Sequence, residues 1–153
     1  MQGSDLTREE VIALLNLAPL EGEGGFYRQT YADKNSTAIY FLVGGDAFSA
    51  LHRLTGQETY HWYGGAPLEI FTIDPQGNGC TRLMGMDLPA GQVPQLVVPA
   101  GYWQGSRSSG SWTLVGTTMA PGYTPEGFEL ATEKLIAQYP QYECEIRRLL
   151  PVE

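Results

Sequence analysis

The sequence predicts a mainly β domain, a sandwich or barrel of short strands with one helix before it and two after it. Three observations carry that expectation. From residue 26 to about residue 119, runs rich in β-branched and aromatic residues alternate with clusters of Gly, Pro, Asn, Asp and Ser. Before this region, "LTREEVIALL" has helical spacing, and after it "ATEKLIAQY" and "PQYECEIRRLL" do as well.

The first helix is expected over residues 7–17. Thr7 and Glu10 fit a capping box, Leu6 and Val11 fit a hydrophobic staple, and Val11, Leu14, Leu15 and Ala18 form one apolar face that Pro19 terminates. The strand candidates are, in order, "FYRQTY", "TAIYFLV", "AFSALHRL", "ETYHWY", "LEIFTID", "CTRLMGM", "QLVVP", "WQGSR" and "SWTLVGTTM". Turn clusters such as "DKNS", "TGQ", "GGAP" and "DPQGNG" separate them. Strands this short and this closely spaced argue for a sandwich or barrel. In the tail, Pro140 suits the first position of the last helix, Tyr142, Ile146 and Leu149 share a face, and Arg147 and Arg148 suit its C-terminus. These helices are expected on the outside of the β-core.

A chain of 153 residues is the size of one ordinary domain, so residues 1–153 are read as a single domain. The net charge of −8 and the absence of a basic stripe exclude nucleic acid as the expected partner. No run reaches the length of a membrane span, and "MQGSDLTREE" lacks the apolar core of a signal peptide. Cys80 and Cys144 form no Cys-x-x-Cys pair and are read as reduced packing residues, which suits the cytoplasm.

Both histidines lie in "ALHRLTGQETYHWYGGAPLE", with Glu58 between them. Alternation puts Phe48, Ala50, His52 and Leu54 on one face of their strand. On the next, Glu58, Tyr60 and Trp62 oppose Thr59, His61 and Tyr63. A tight turn would let His52 meet Glu58 across a hairpin, while His61 has the wrong parity unless a bulge resets the register.

The spacing of these residues resembles the first motif of the cupin superfamily, G-x5-H-x-H-x3,4-E-x6-G. His52, Glu58 and Gly65 match it, and Leu54 stands where the second His belongs. "VVPAGYWQGSRS" resembles the second motif, G-x5-P-x-G-x2-H-x3-N, through Pro99 and Gly101, with Gln104 in place of the His and Ser108 in place of the Asn. With "EGEGGFYRQTY", "LVGTTMAPGY" and "AQYPQYECEIRRLL", the chain is similar nearly throughout to the small single-domain cupins known as domain of unknown function 985. The resemblance implies a double-stranded β-helix, or jelly-roll barrel, with a small-molecule pocket inside and a homodimeric assembly. Of the superfamily's four metal ligands, His52 and Glu58 remain, so a divalent transition metal, if held at His52, Glu58 and Gln104, is expected to be weakly bound.

Beside His52 and Glu58, His61 stands evenly between pocket and surface as a third catalytic candidate. Arg28, Tyr40, Tyr60, Trp62, Trp103 and Gln104 are the ligand-binding candidates: aromatic walls, an amide, and a cation for an anionic ligand. Three functions stay open. The first is acid–base chemistry on a sugar or sugar nucleotide, by analogy of fold with deoxysugar epimerases. The second is a metal-dependent dioxygenase or decarboxylase with an incomplete ligand set. The third is ligand binding without turnover.

Overall fold

The computed structural model describes residues 5–151; residues 1–4 and 152–153 lie outside the described residues. The elements run α1 (Arg8–Leu15), β1 (Ala18–Pro19), β2 (Phe26–Ala32), β3 (Thr37–Val43), β4 (Ser49–Leu54), β5 (Glu58–Gly65), β6 (Leu68–Ile73), β7 (Gly79–Met84), β8 (Gln95–Val98), β9 (Trp103–Ser108), β10 (Thr113–Met119), β11 (Phe128–Leu130), α2 (Lys134–Gln138) and α3 (Glu143–Arg148). The strands form two antiparallel sheets, ordered β1-β2-β3-β10-β5-β8 and β11-β4-β9-β6-β7. This is the mainly β jelly-roll arrangement that the sequence leads one to expect, with helices toward both ends of the chain.

Alternation sorts the side chains into an interior layer and two outer layers. Between the sheets lies a core of Phe41, Val43, Tyr60, Leu68, Ile70, Met84, Leu96, Val98 and Val115. On the outer face of the second sheet, Leu51, Phe71, Ile73 and Trp103 bury the apolar sides of α2 and α3 through Leu135, Ile146 and Leu149. On the outer face of the first sheet, Leu42 and Trp112 receive Val11 and Leu17 from α1 and its exit.

The α1 capping box forms as expected: the Glu10 N–H donates to Thr7 Oγ1, and the Thr7 N–H donates to Glu10 Oε1. The helix ends earlier than Pro19, because Asn16 adopts a left-handed conformation (φ 58°) and caps it. Leu14 therefore stays exposed, and Val11 alone of the expected apolar face is fully buried. In α3, Ile146 and Leu149 bury as the spacing indicates, and Arg147 pairs with Glu143 one turn earlier. Cys80 and Cys144 are free and exposed, so neither packs a core.

Two strand details differ from simple alternation. The β4–β9 register shifts between Ser49 and His52, so Ser49 faces the interior while Phe48 packs in the outer cluster. Residues 55–57 carry the chain from the second sheet to the first instead of closing a hairpin, since β4 and β5 belong to different sheets. The Gly65 that closes the first motif has φ +86°, and a Cβ there would lie 2.5 Å from the Trp112 carbonyl oxygen, so only glycine fits.

Ile146 is fully buried among Leu51, Phe71 and Trp103. Ile146→Ala should cost about 2–5 kcal/mol of unfolding free energy, read from the urea midpoint at unchanged slope. A loss within the scatter of surface variants would mean that the helices do not stabilise this sheet.

Candidate functional site

The site is built where β4 meets the loop between β1 and β2. The Ala50 N–H donates to the Glu23 carbonyl at 2.7 Å, tying the loop to the strand. Gly24 makes that approach possible: it has φ +98°, and a Cβ there would sit 2.3 Å from the Phe48 carbonyl oxygen. The neighbouring Ser49 hydroxyl donates to Glu23 Oε2 at 2.6 Å, fixing the carboxylate. His52 lies 2.7 Å through Nδ1 from the Ala50 carbonyl. A carbonyl can only accept, so Nδ1 carries the hydrogen and the lone pair of neutral His52 sits on Nε2. Nε2 lies 3.9 Å from Glu23 Oε1, beyond hydrogen-bond reach. The ring stacks on Phe128 at a centroid distance of 5.2 Å.

From the opposite sheet come Glu58 and Tyr60. His52, Glu58 and Gln104 are 2%, 8% and 1% exposed, so the group is interior. Burial raises the Glu58 pKa above the ordinary glutamate value. The charge of His52 pulls the other way, the Glu23 carboxylate adds to the rise, and hydrogen bonds from Thr117 and Gln104 oppose it. The Tyr60 hydroxyl donates to Gln104 Oε1. Burial, then the charges of Glu58 and Glu23, hold the Tyr60 phenol well above its usual pKa.

Glu23, His52 and Glu58 open into a cavity of about 280 Å³, whereas Gln104 and Tyr60, expected to bind ligand, are buried outside its lining. His52, Glu23, Glu58, Thr117 and Gln29 supply polar lining; Tyr27, Tyr123 and Phe128 supply aromatic lining; Leu20, Ile39, Leu54 and Met119 supply aliphatic lining. Its rim comes from the β1–β2 loop and from the segment around β11, which pairs with the edge of β4.

The structure brings together His52, Glu58, Gln104 and Tyr60, but His52 and Glu58 meet across the sandwich and not across a hairpin. Trp62 points into the same interior core, with Nε1 donating to the Ala66 carbonyl, and does not line the cavity. Four other candidates lie elsewhere. His61 is on the outer face of the first sheet beside Thr118, Gln95 and Tyr63, as its parity dictates. Arg28 and Tyr40 stack on each other on that same outer face, because Tyr27 and Gln29 take the inward positions of β2. Trp103 is buried under the C-terminal helices with Arg53 over its ring, since Gln104 takes the inward position of β9. Sequence reasoning passed over Glu23, Tyr27, Tyr123 and Phe128. The signal available for Glu23 was a carboxylate set between glycines in "EGEGG", where the backbone is free to turn a side chain inward.

The donor set does not fit a tight transition-metal centre. Leu54 lines the cavity at the place of the second motif imidazole, and the Gln104 oxygen is occupied by the Tyr60 hydroxyl. Among the described residues, no group of three or more His, Cys, Asp or Glu is placed to hold a metal ion. Nor is any described helix long and apolar enough to cross a membrane.

Residues 9–131 match the family described as Cupin superfamily (DUF985). Among solved structures, a protein from Shewanella oneidensis is similar at 35% identity and TM-score 0.90, over 97% of this chain and 99% of that one. A hypothetical protein from Leishmania major is similar at 30% identity and TM-score 0.86, over 95% and 99% of the two chains. Oxalate decarboxylase from Bacillus subtilis shares the fold at 13% identity and TM-score 0.63, over 88% of this chain and 38% of that one. No curated protein matches the chain.

The raised Glu58 pKa sets the sign of a pH effect. Below the ordinary glutamate value of 4.5, folded and unfolded chains both hold the proton and Glu58 costs nothing. As pH rises past 4.5 the unfolded chain releases its proton first, so stability falls until the folded carboxyl has also ionised. Glu58→Gln should therefore melt higher than the wild type near neutrality, with the gap closing as pH falls toward 4.5. A pH-independent gap in thermal melts would refute the buried-acid assignment.

Proposed function

The chain belongs to the cupin superfamily, in its DUF985 family, and from that premise we propose that its interior cavity performs acid–base chemistry on a small carbonyl-bearing carbohydrate. One observation carries this: His52, with Nδ1 held by the Ala50 carbonyl, turns Nε2 to the same interior as Glu58, whose carboxyl pKa burial raises. An imidazole and a carboxyl of raised pKa on facing sheets suit proton transfer in both directions.

In the proposed step, His52 Nε2 takes the proton from the carbon next to the carbonyl. Glu58 gives its proton to the carbonyl oxygen, forming a neutral enediol. Collapse of the enediol returns one proton to carbon and one to Glu58, and His52 is neutral again. The product is an isomer or epimer, with no net oxidation and no co-reactant. Glu23, held by Ser49, stabilises the imidazolium while it lasts. A sugar nucleotide fits less well than a free sugar. The cavity is at the small end of ligand sites, no Lys or Arg lines it, and the Arg28 that was expected to bind phosphate is on the outer face.

Incubation with free aldoses and ketoses in D2O should place deuterium at the carbon next to the carbonyl, seen by NMR. His52→Gln should slow this by about 10²–10⁴-fold with the fold intact by circular dichroism. The rate should survive exhaustive chelation; loss on chelation would put a metal-dependent reaction first. Binding of a sugar with no exchange would leave a ligand-binding cupin without turnover.

A second copy of the chain is the partner we propose for the outer face of the first sheet. Tyr40, Tyr63, His61, Leu114 and Val97 stand there with Arg28 and no carboxylate. In a chain of net charge −8, such a face is spared the like-charge repulsion that opposes self-association. Sedimentation should show a dimer at micromolar concentration, and Tyr63→Asp should shift it to monomer. A monomeric wild type would sink this assignment.

A further inference from the structure

We infer that the ligand of the cavity carries a protonated amine, held at the Glu23 carboxylate in a space that Tyr27 and Tyr123 also line. This rests on the acid–base reading of the same cavity and adds the charge of the substrate to it. Three independent features of the lining point the same way.

The first is the balance of charge. The walls include Glu21, Glu23 and Glu58, with His52 as the one basic side chain and no Lys or Arg. An anion entering this space would meet the Glu21 and Glu23 carboxylates, whereas a cation would find its counter-charge in place. Beside them, burial and then the charges of Glu23, Tyr27 and Glu126 raise the Tyr123 phenol pKa.

The second is unused acceptor capacity. Glu23 Oε2 is taken by the Ser49 hydroxyl, but Oε1 is engaged only at 3.9 Å by His52. His52 is 2% exposed, lines the same cavity, and holds Nε2 at that 3.9 Å from Glu23 Oε1. The Glu23 Oε1 acceptor, with no hydrogen bond from His52, leaves room for a donor from the ligand. An ammonium brings N–H donors and no acceptor.

The third is the rim. Tyr27, Tyr123 and Phe128 line the cavity that Glu23 lines, and aromatic faces attract organic cations most strongly where water is partly excluded. With the ammonium at Glu23 near the rim, the rest of a sugar-sized molecule reaches inward to His52 and Glu58. The amine is thus a positioning handle, and the carbonyl is the reacting end.

The test uses three probes of one ring and different charge: D-glucosamine, D-glucose and D-glucuronate. Binding to the full chain is measured by calorimetry at low salt and about pH 6, where the amine is protonated and the uronate ionised. Glucosamine should bind at least tenfold tighter than glucose, glucuronate should not bind, and added salt should narrow the difference. Glu23→Gln, which keeps shape and removes charge, should bring glucosamine down to the affinity of glucose. The wild-type ranking alone decides the matter should that variant fail to fold. Glucose binding as tightly as glucosamine, or glucuronate binding tightest, overturns the inference while leaving sugar exchange at His52 intact. No binding by any of the three overturns it together with the carbohydrate reading.

Discussion

One dipeptide holds the site in register. Ser49 and Ala50 supply a hydroxyl to the Glu23 carboxylate, an N–H to the Glu23 carbonyl and a carbonyl to His52 Nδ1. The loop acid and the strand imidazole are thereby aimed at each other from a single rigid point in β4. Two further features serve that point. Gly24 lets the loop approach the strand, and the register shift in β4 turns Ser49 inward three positions before His52. Without the shift, Ser49 and His52 would have opposite parity and could not share a site.

The rest of the architecture is arranged to leave the interior free at one end. α2 and α3 cover one outer face and α1 covers part of the other, so the apolar demand of both sheets is met from outside as well as from within. The interior is then graded. Large apolar residues fill the half around Leu68, Ile70 and Met84, and polar residues gather toward Glu58 and His52. Tyr60 and Gln104 form the seam between the two halves, with the phenol donating its hydrogen to the amide and the amide turned toward the acid. An amide cannot change its charge, so this seam keeps one polarity whatever the pH.

Much of the fold was legible because β-strands announce themselves by alternation and turn residues. The nine longer strands fall where the sequence suggests; the two very short ones, β1 and β11, carry too few residues for any pattern to register. At the site, alternation was the more reliable guide wherever it competed with nearness in sequence. His61 lies three residues from Glu58 and Trp103 is adjacent to Gln104, yet parity places both outside, where the structure has them. Arg28 follows the same rule, since its neighbour Tyr27 faces in. What alternation could not reveal is the contribution of irregular chain. Glu23 and Tyr123 reach the cavity from loops, and no period connects a loop residue to a pocket.

The rim of the cavity is made of the weakest-held chain in the structure. β1 pairs with β2 over two residues, β11 pairs with β4 over three, and each is the edge strand of its own sheet. Edges this short can detach at a fraction of the free energy that unfolds the sandwich. Hydrogen exchange should thus divide the protein into a slow barrel and a fast collar. Traffic through the cavity would keep the rhythm of the collar, and a molecule bound inside would be released by a local breath of its edges while the walls around His52 and Glu58 stay shut.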